Sequence, residues 1–227
     1  LPQKLKTSFE PILGPVITRN LAENRMGAVA KQVSQVGFWI IAAQAGVALA
    51  LGIPSEAIMG LAGPEFVAGS AALGFLLAAE VVAATAVVSE AALVYTARLR
   101  NLLISIGTLA VQAAASILLL MACKWAELPE ITYAAAVALG LMIALGFASV
   151  TKSRLLARLL KAPVNSLRWA LVWAMTGAAI LGWGATKLPE WAELLVGVPV
   201  ILAIYAWLIW TKGFGPADRE LFRKQPK

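Results

Sequence analysis

With 227 residues, of which 60% are hydrophobic and 14% charged, the chain is more apolar and less charged than a soluble domain of ordinary composition. It has no histidine and one cysteine, Cys123, which excludes an internal disulfide, His-based acid–base catalysis and Ser-His triads and argues against a zinc site. The formal charge of +7 resides in short loops between apolar segments, without a separate basic domain or aromatic-interleaved stripe, so it points to membrane topology and away from nucleic acid.

Residues 1–30 show no basic stretch followed by a short apolar run and a small-residue cleavage site, so no signal peptide is expected. Beyond them, apolar runs bounded by charge or by Pro and Gly predict six full spans, at about 33–53, 66–96, 99–122, 131–151, 167–186 and 191–210. A buried soluble helix could explain any one such run, but not six in succession. The second run is longer than a bilayer needs and must tilt or extend beyond it. The expected fold class is all-α: a polytopic transmembrane helix bundle of six full spans, preceded by a partial or kinked N-terminal helix.

Lysine and arginine orient these spans, because positively charged short loops stay in the cytoplasm. Fifteen cations fall on one side: Arg19, Arg25 and Lys31; Arg98 and Arg100; Lys152, Arg154, Arg158, Lys161 and Arg168; and Lys212, Arg219, Arg223, Lys224 and Lys227. The opposite loops carry only Lys124 and Lys187, against Glu56, Glu65, Glu127, Glu130, Glu190 and Glu193. A cytoplasmic C-terminus follows. Trp39, Trp125, Trp169, Trp191 and Trp210 fall near predicted span ends, where indole rings favour the headgroup layer.

Within the spans, Glu80 lies near the middle of the second and Glu90 nearer its inner end. An ionised carboxylate in lipid costs roughly 2.5–3.5 kcal/mol on insertion scales, so such groups face protein or water and are candidates for ion coupling. Gln44, Gln112, Ser89, Ser105 and Ser116 are suited to interhelical hydrogen bonds, and the recurrent Ala and Gly residues to close helix approach. Pro199, two residues after Gly197, is expected to kink or loosen the last span. After the fourth span, Lys152 to Lys161 continue a helix whose leucines and bases separate onto two faces, expected at the inner headgroups. The tail from Gly215 to Lys224 reads as a short helix, solvated or surface-bound, with Pro216 at its start.

Three segments together carry a resemblance: Ser8-Phe9-Glu10-Pro11-Ile12-Leu13-Gly14-Pro15-Val16-Ile17, Ile58-Met59-Gly60-Leu61-Ala62-Gly63-Pro64-Glu65-Phe66-Val67, and Gly213-Phe214-Gly215-Pro216-Ala217-Asp218-Arg219-Glu220-Leu221-Phe222. The chain resembles the C-terminal half of a polysaccharide or lipid-linked oligosaccharide flippase of the multidrug/oligosaccharidyl-lipid/polysaccharide transporter superfamily. None of the three is a catalytic motif. The resemblance implies a fragment: residues 1–30 as a truncated cavity helix and cytoplasmic turn, 31–161 as four transmembrane helices of the C-terminal lobe with a basic amphipathic extension, and 162–227 as two added helices and a cytoplasmic tail. It further implies a bacterial cytoplasmic membrane and a missing N-terminal lobe as partner, with a lipid-linked oligosaccharide as substrate at the bilayer.

On that resemblance Lys4 and Lys6 move from a loop into a cavity helix, where a cation could balance a lipid-linked pyrophosphate. The cavity candidates are then Lys4, Lys6, Glu10 and Gln44, and the ion-coupling candidates Glu80 and Glu90. No metal, cofactor or catalytic residue is expected. A multidrug exporter of the same superfamily and a non-transporting membrane scaffold are the alternatives; a polyprenyl-using transferase would need clustered acids, whereas Asp218 is the sole aspartate.

Overall fold

A computed structural model describes residues 18–20, 23, 25–187, 189–215 and 218. Among these the fold is all-helical, and five helices are long and apolar enough to cross a membrane. Helix α1 is Met26–Gly52, α2 Ser55–Ala62, α3 Ser70–Thr96, α4 Arg98–Trp125, α5 Ile131–Leu160 and α6 Trp169–Ala185. The last, α7, spans Glu193–Gly213. Lys4, Lys6 and Glu10 lie outside the described residues, as does nearly all of the tail.

The predicted runs correspond to these elements with shifted ends. Helix α1 starts earlier than predicted, at Met26. The second run opens with a 3-10 turn over Pro64–Gly69 that passes without interruption into α3. Gly63 makes the turn between α2 and this stretch possible: its φ of 145° belongs to glycine, and a Cβ there would meet the Glu65 carboxylate at 2.7–2.9 Å. The fifth run yields a helix of 17 residues, shorter than the other five, because residues 163–168 ahead of it form a non-helical connection led by Pro163. Near Pro199 the helix is loosened, with π-helical backbone over Glu193–Gly197 directly before the α-helical stretch Val198–Leu208. A second π segment, Ile209–Gly213, ends α7.

Helix α1 is the axis of the bundle. Of its most apolar window 61% is buried, against 33% for α3 and α5, 22% for α7 and none for α4. Val29, Val33, Phe38, Ile41, Ala45 and Leu49 of α1 pack with Val88 and Leu93 of α3, Leu156 of α5, Leu171 of α6 and Ile201 of α7. Where lipid tails are as apolar as the side chains, such packing is driven by fit and by hydrogen bonds, so small residues set the distances. Ala79, Ala83 and Ala86 of α3 are buried, as are Ala144 and Ala148 of α5. There Ser149 donates from Oγ to the Val82 carbonyl at 2.5 Å. Across α4 and α5, a Cβ on Gly140 would stand 2.6 Å from Ser116 Oγ and 3.0 Å from its backbone nitrogen. Between α1 and α7, the Tyr205 hydroxyl donates to the Ala42 carbonyl at 2.8 Å, its ring against Gly46.

The helices alternate in direction. Asn165, just ahead of α6, donates its backbone N–H to Ser34 Oγ early in α1, while Val88 late in α3 faces Gly37 of α1. One end of the bundle therefore collects Arg98, Arg100, Arg154, Arg158, Lys161 and Arg168, and the other holds Glu56, Glu65, Glu127 and Glu130. Trp125, Trp169, Trp191 and Trp210 are exposed by 67–90%. Trp39 departs from the expected belt: it turns inward, edge-on to Phe38 and Phe214, and donates from Nε1 to Asp218 Oδ1 at 3.2 Å.

The same contact corrects the expectation of a solvated tail at Asp218, whose residue is 0% exposed. Arg168 grips its carboxylate with Nη1 to Oδ2 at 2.6 Å and Nη2 to Oδ1 at 3.2 Å, and Gln35 donates at 3.2 Å. The backbone N–H of Gly215 donates to Oδ2 at 2.8 Å, and Arg168 also donates to the Gly213 carbonyl at 2.7 Å. The guanidinium lies 4.2 Å from the centre of the Phe38 ring. A buried carboxylate persists only when paired and hydrogen-bonded, and all of these donors converge on one group.

Burial by itself pushes the Asp218 carboxyl up, but hydrogen bonds from Arg168, Gly215 and Gln35 and the Arg168 charge outweigh it and hold the pKa at about 2, below the ordinary 3.8. A depressed carboxylate contributes stability above its unfolded pKa and loses it as pH falls through the folded one. That difference corresponds to about 2 kcal/mol, present above about pH 4 and lost toward pH 2. The stability gap between wild type and Asp218→Asn is expected to shrink by about 2 kcal/mol between pH 5 and pH 2, measured by unfolding in mixed micelles.

Candidate functional site

Charged groups within apolar helices need partners, and α3, α4 and α5 each bring one polar side chain to a common point near the basic end. Glu90 comes from α3, Ser105 from α4 and Lys152 from α5. The Lys152 ammonium donates to Glu90 Oε2 at 2.9 Å and to Ser105 Oγ at 3.1 Å. Lys152 is 4% exposed, whereas the Glu90 side chain retains 37% exposure. The pair thus has a dry cationic half and a more open anionic half.

Lys152 was expected on the basic, headgroup-facing side of the α5 extension, and here the structure corrects the sequence reading. Its inward turn follows from helix geometry. Gly140, Ala144, Ala148, Lys152, Leu156 and Leu160 recur every four residues and all are buried, so Lys152 occupies the packed stripe of α5. Arg154 and Arg158 are exposed on another side of the helix. That spacing was present in the sequence, but the charge of Lys152 obscured its place among apolar neighbours. One turn before Ser105, Asn101 of α4 is 6% exposed and its Oδ1 lacks a hydrogen-bond partner.

Glu80 stands apart from this node. It lies about midway along the continuous stretch Pro64–Thr96, is partly exposed, and makes no hydrogen bond or ion pair with the described residues. Gln44 is buried in α1 at 6% exposure, with its Oε1 unpartnered. The two therefore do not share a site with Glu90. A cleft of about 410 Å³ opens between α3, α5 and the 163–168 connection, lined by Val82, Thr85, Ser149, Ser153 and Asn165 among others. Neither Glu80 nor Gln44 lines it.

Chemically, the Glu90–Lys152–Ser105 node can hold and relay charge between helices but offers no activated nucleophile. Among the described residues no group of three or more His, Cys, Asp or Glu is placed to hold a metal ion. Removing one member of the pair strands the other, and the deeper partner is Lys152. Glu90→Gln is expected to destabilise the bundle by about 1–3 kcal/mol, less than for a wholly buried pair because Glu90 is partly solvated. Adding Lys152→Met is expected to recover part of this loss, giving a coupling of about 1–2 kcal/mol in a double-mutant cycle of unfolding in mixed micelles. Strictly additive losses would show that the contact contributes nothing.

Comparison with known proteins finds no matching family model, no matching curated protein and no matching solved structure.

Proposed function

We propose that this chain is one lobe of a multi-pass transporter that flips a lipid-linked oligosaccharide across the bacterial cytoplasmic membrane for cell-surface polysaccharide or lipopolysaccharide synthesis. In this reading the C-terminus is cytoplasmic and α6 serves as a sixth span. The shortness of α6 is compatible with a span that has little tilt, 17 residues at about 1.5 Å each giving about 26 Å. The asymmetry of loop charge supports the orientation.

The observation that carries the transport reading is Glu80: a carboxyl group at mid-span, partly exposed and without a partner among the described residues. In hydrocarbon such a group is unfavourable by about 2.5–3.5 kcal/mol, so it calls for a water-filled cavity or a second protein surface. A second lobe facing this one supplies both. The sugar head then crosses through the polar cavity between lobes while the lipid tail stays in the bilayer, by rocking of one lobe against the other. Substrate identity within the glycolipid class comes from the resemblance of three sequence segments, and Glu80 is the proposed proton-coupling group.

The test is deletion of the parent protein in its host with measurement of the lipid-linked oligosaccharide on each leaflet and of surface polymer. Inner-leaflet accumulation with loss of polymer, restored by the intact parent and not by residues 1–227 alone, is expected. Unchanged leaflet distribution in a host without a redundant transporter would reject the flippase. For coupling, Glu80→Gln in the intact parent is expected to abolish the response of flux to an imposed proton gradient. Gradient-dependent flux equal to wild type removes Glu80 from that role.

A further inference from the structure

At the basic end of the bundle, α4 and α5 diverge around an open groove of about 410 Å³ whose lining includes Arg100, Arg154 and Arg158. All three arginines are exposed, and none forms an ion pair or hydrogen bond with the described residues. Arg154 and Arg158 are one turn apart, a spacing at which like charges destabilise a helix unless an anion intervenes. No acid lines the groove, and Glu90 on α3 is engaged by Lys152. The groove therefore lacks anionic partners of its own.

Its other walls are apolar, formed by Leu103, Ile104 and Val150 among others. Leu103 is 67% and Val150 48% exposed, and they continue into the outward face of α4, whose most apolar window has no buried residue. Depth separates the two kinds of wall. From Ile131 to Val150 helix α5 rises about 30 Å, the thickness of the hydrocarbon layer, so a layer that begins at Ile131 puts Arg154 and Arg158 at headgroup level just beyond it. The groove thus joins guanidinium donors at phosphate depth to apolar surface at acyl-chain depth.

We infer that this groove binds an anionic glycerophospholipid of the surrounding bilayer, its phosphate held by Arg100, Arg154 and Arg158 and one acyl chain lying along Leu103 and Val150. Guanidinium groups form paired hydrogen bonds to phosphate oxygens, and basic pockets between membrane helices suit acidic headgroups. A free phosphate would use the arginines but leave the apolar wall unexplained. The site is separate from the Glu90–Lys152 node and does not depend on what the protein transports.

The test uses the delipidated 227-residue chain, titrated with phosphatidylglycerol or chain-matched phosphatidylcholine and followed by native mass spectrometry. Phosphatidylglycerol is expected to bind about tenfold more tightly, and the combined variant Arg100→Gln, Arg154→Gln, Arg158→Gln to lose that preference. A charge-matched control, Lys31→Gln, Lys124→Gln, Lys212→Gln, is expected to keep it. Equal loss in both variants, equal binding of the two lipids, or displacement by millimolar inorganic phosphate would each overturn the proposal. Should the arginine variant fail to fold, a headgroup-diazirine phosphatidylglycerol on the wild-type chain decides the matter. Labelling concentrated on residues 98–104 and 150–158 supports the site, and uniform labelling of all basic loops refutes it.

Discussion

Close approach of α3 and α5 through small side chains is the constraint from which the polar architecture follows. With Ala79, Ala83 and Ala86 on one helix and Ala144 and Ala148 on the other, the two backbones come near enough for Ser149 to bond the Val82 carbonyl. At that separation Glu90 and Lys152, farther toward the basic end, fall within a direct ion pair. Larger residues along the seam would overpack it, at about 1–3 kcal/mol for each badly accommodated group, and would pull the charges apart. Packing and charge pairing therefore stand or fall together.

A second polar node holds the other side of the basic end. Arg168, at the entrance to α6, links the end of α7 to α1 by binding the Gly213 carbonyl, the Asp218 carboxylate and the Phe38 ring. The two nodes differ in kind. Asp218 is saturated with donors and wholly buried, as a structural clasp requires, while Glu90 keeps an open side and a single cationic partner. Glu80 is a third case, at mid-span with no partner among the described residues. These three acids thus show three degrees of satisfaction.

The exposed arginines around the α4–α5 groove complete this gradient. Cations that the bundle needs for its own cohesion, Lys152 and Arg168, turn inward to carboxylates. Those it does not need, Arg100, Arg154 and Arg158, are exposed at the groove. The positive charge at one end therefore divides between internal fastening and external contact, although a count of loop residues treats all of it alike.

What the sequence determined by itself was the class of solvent and the class of element. Runs of about twenty apolar residues demand helices in hydrocarbon, because no other open structure satisfies the backbone there. The long helices and the continuation of α5 to Leu160 were legible from apolar runs and charge, and the loosening near Pro199 from its missing donor. Tertiary structure alone decided which partners the buried polar side chains meet. Lys152 could be read as one base in a basic stretch until α3 supplied Glu90, 62 residues away in sequence. Trp39 and Asp218, 179 residues apart, carry no local sign that they meet. The periodicity of a helix fixes which residues share a face, but the partner that makes burial of a charge tolerable comes from another helix, and a single stretch of sequence holds no record of it.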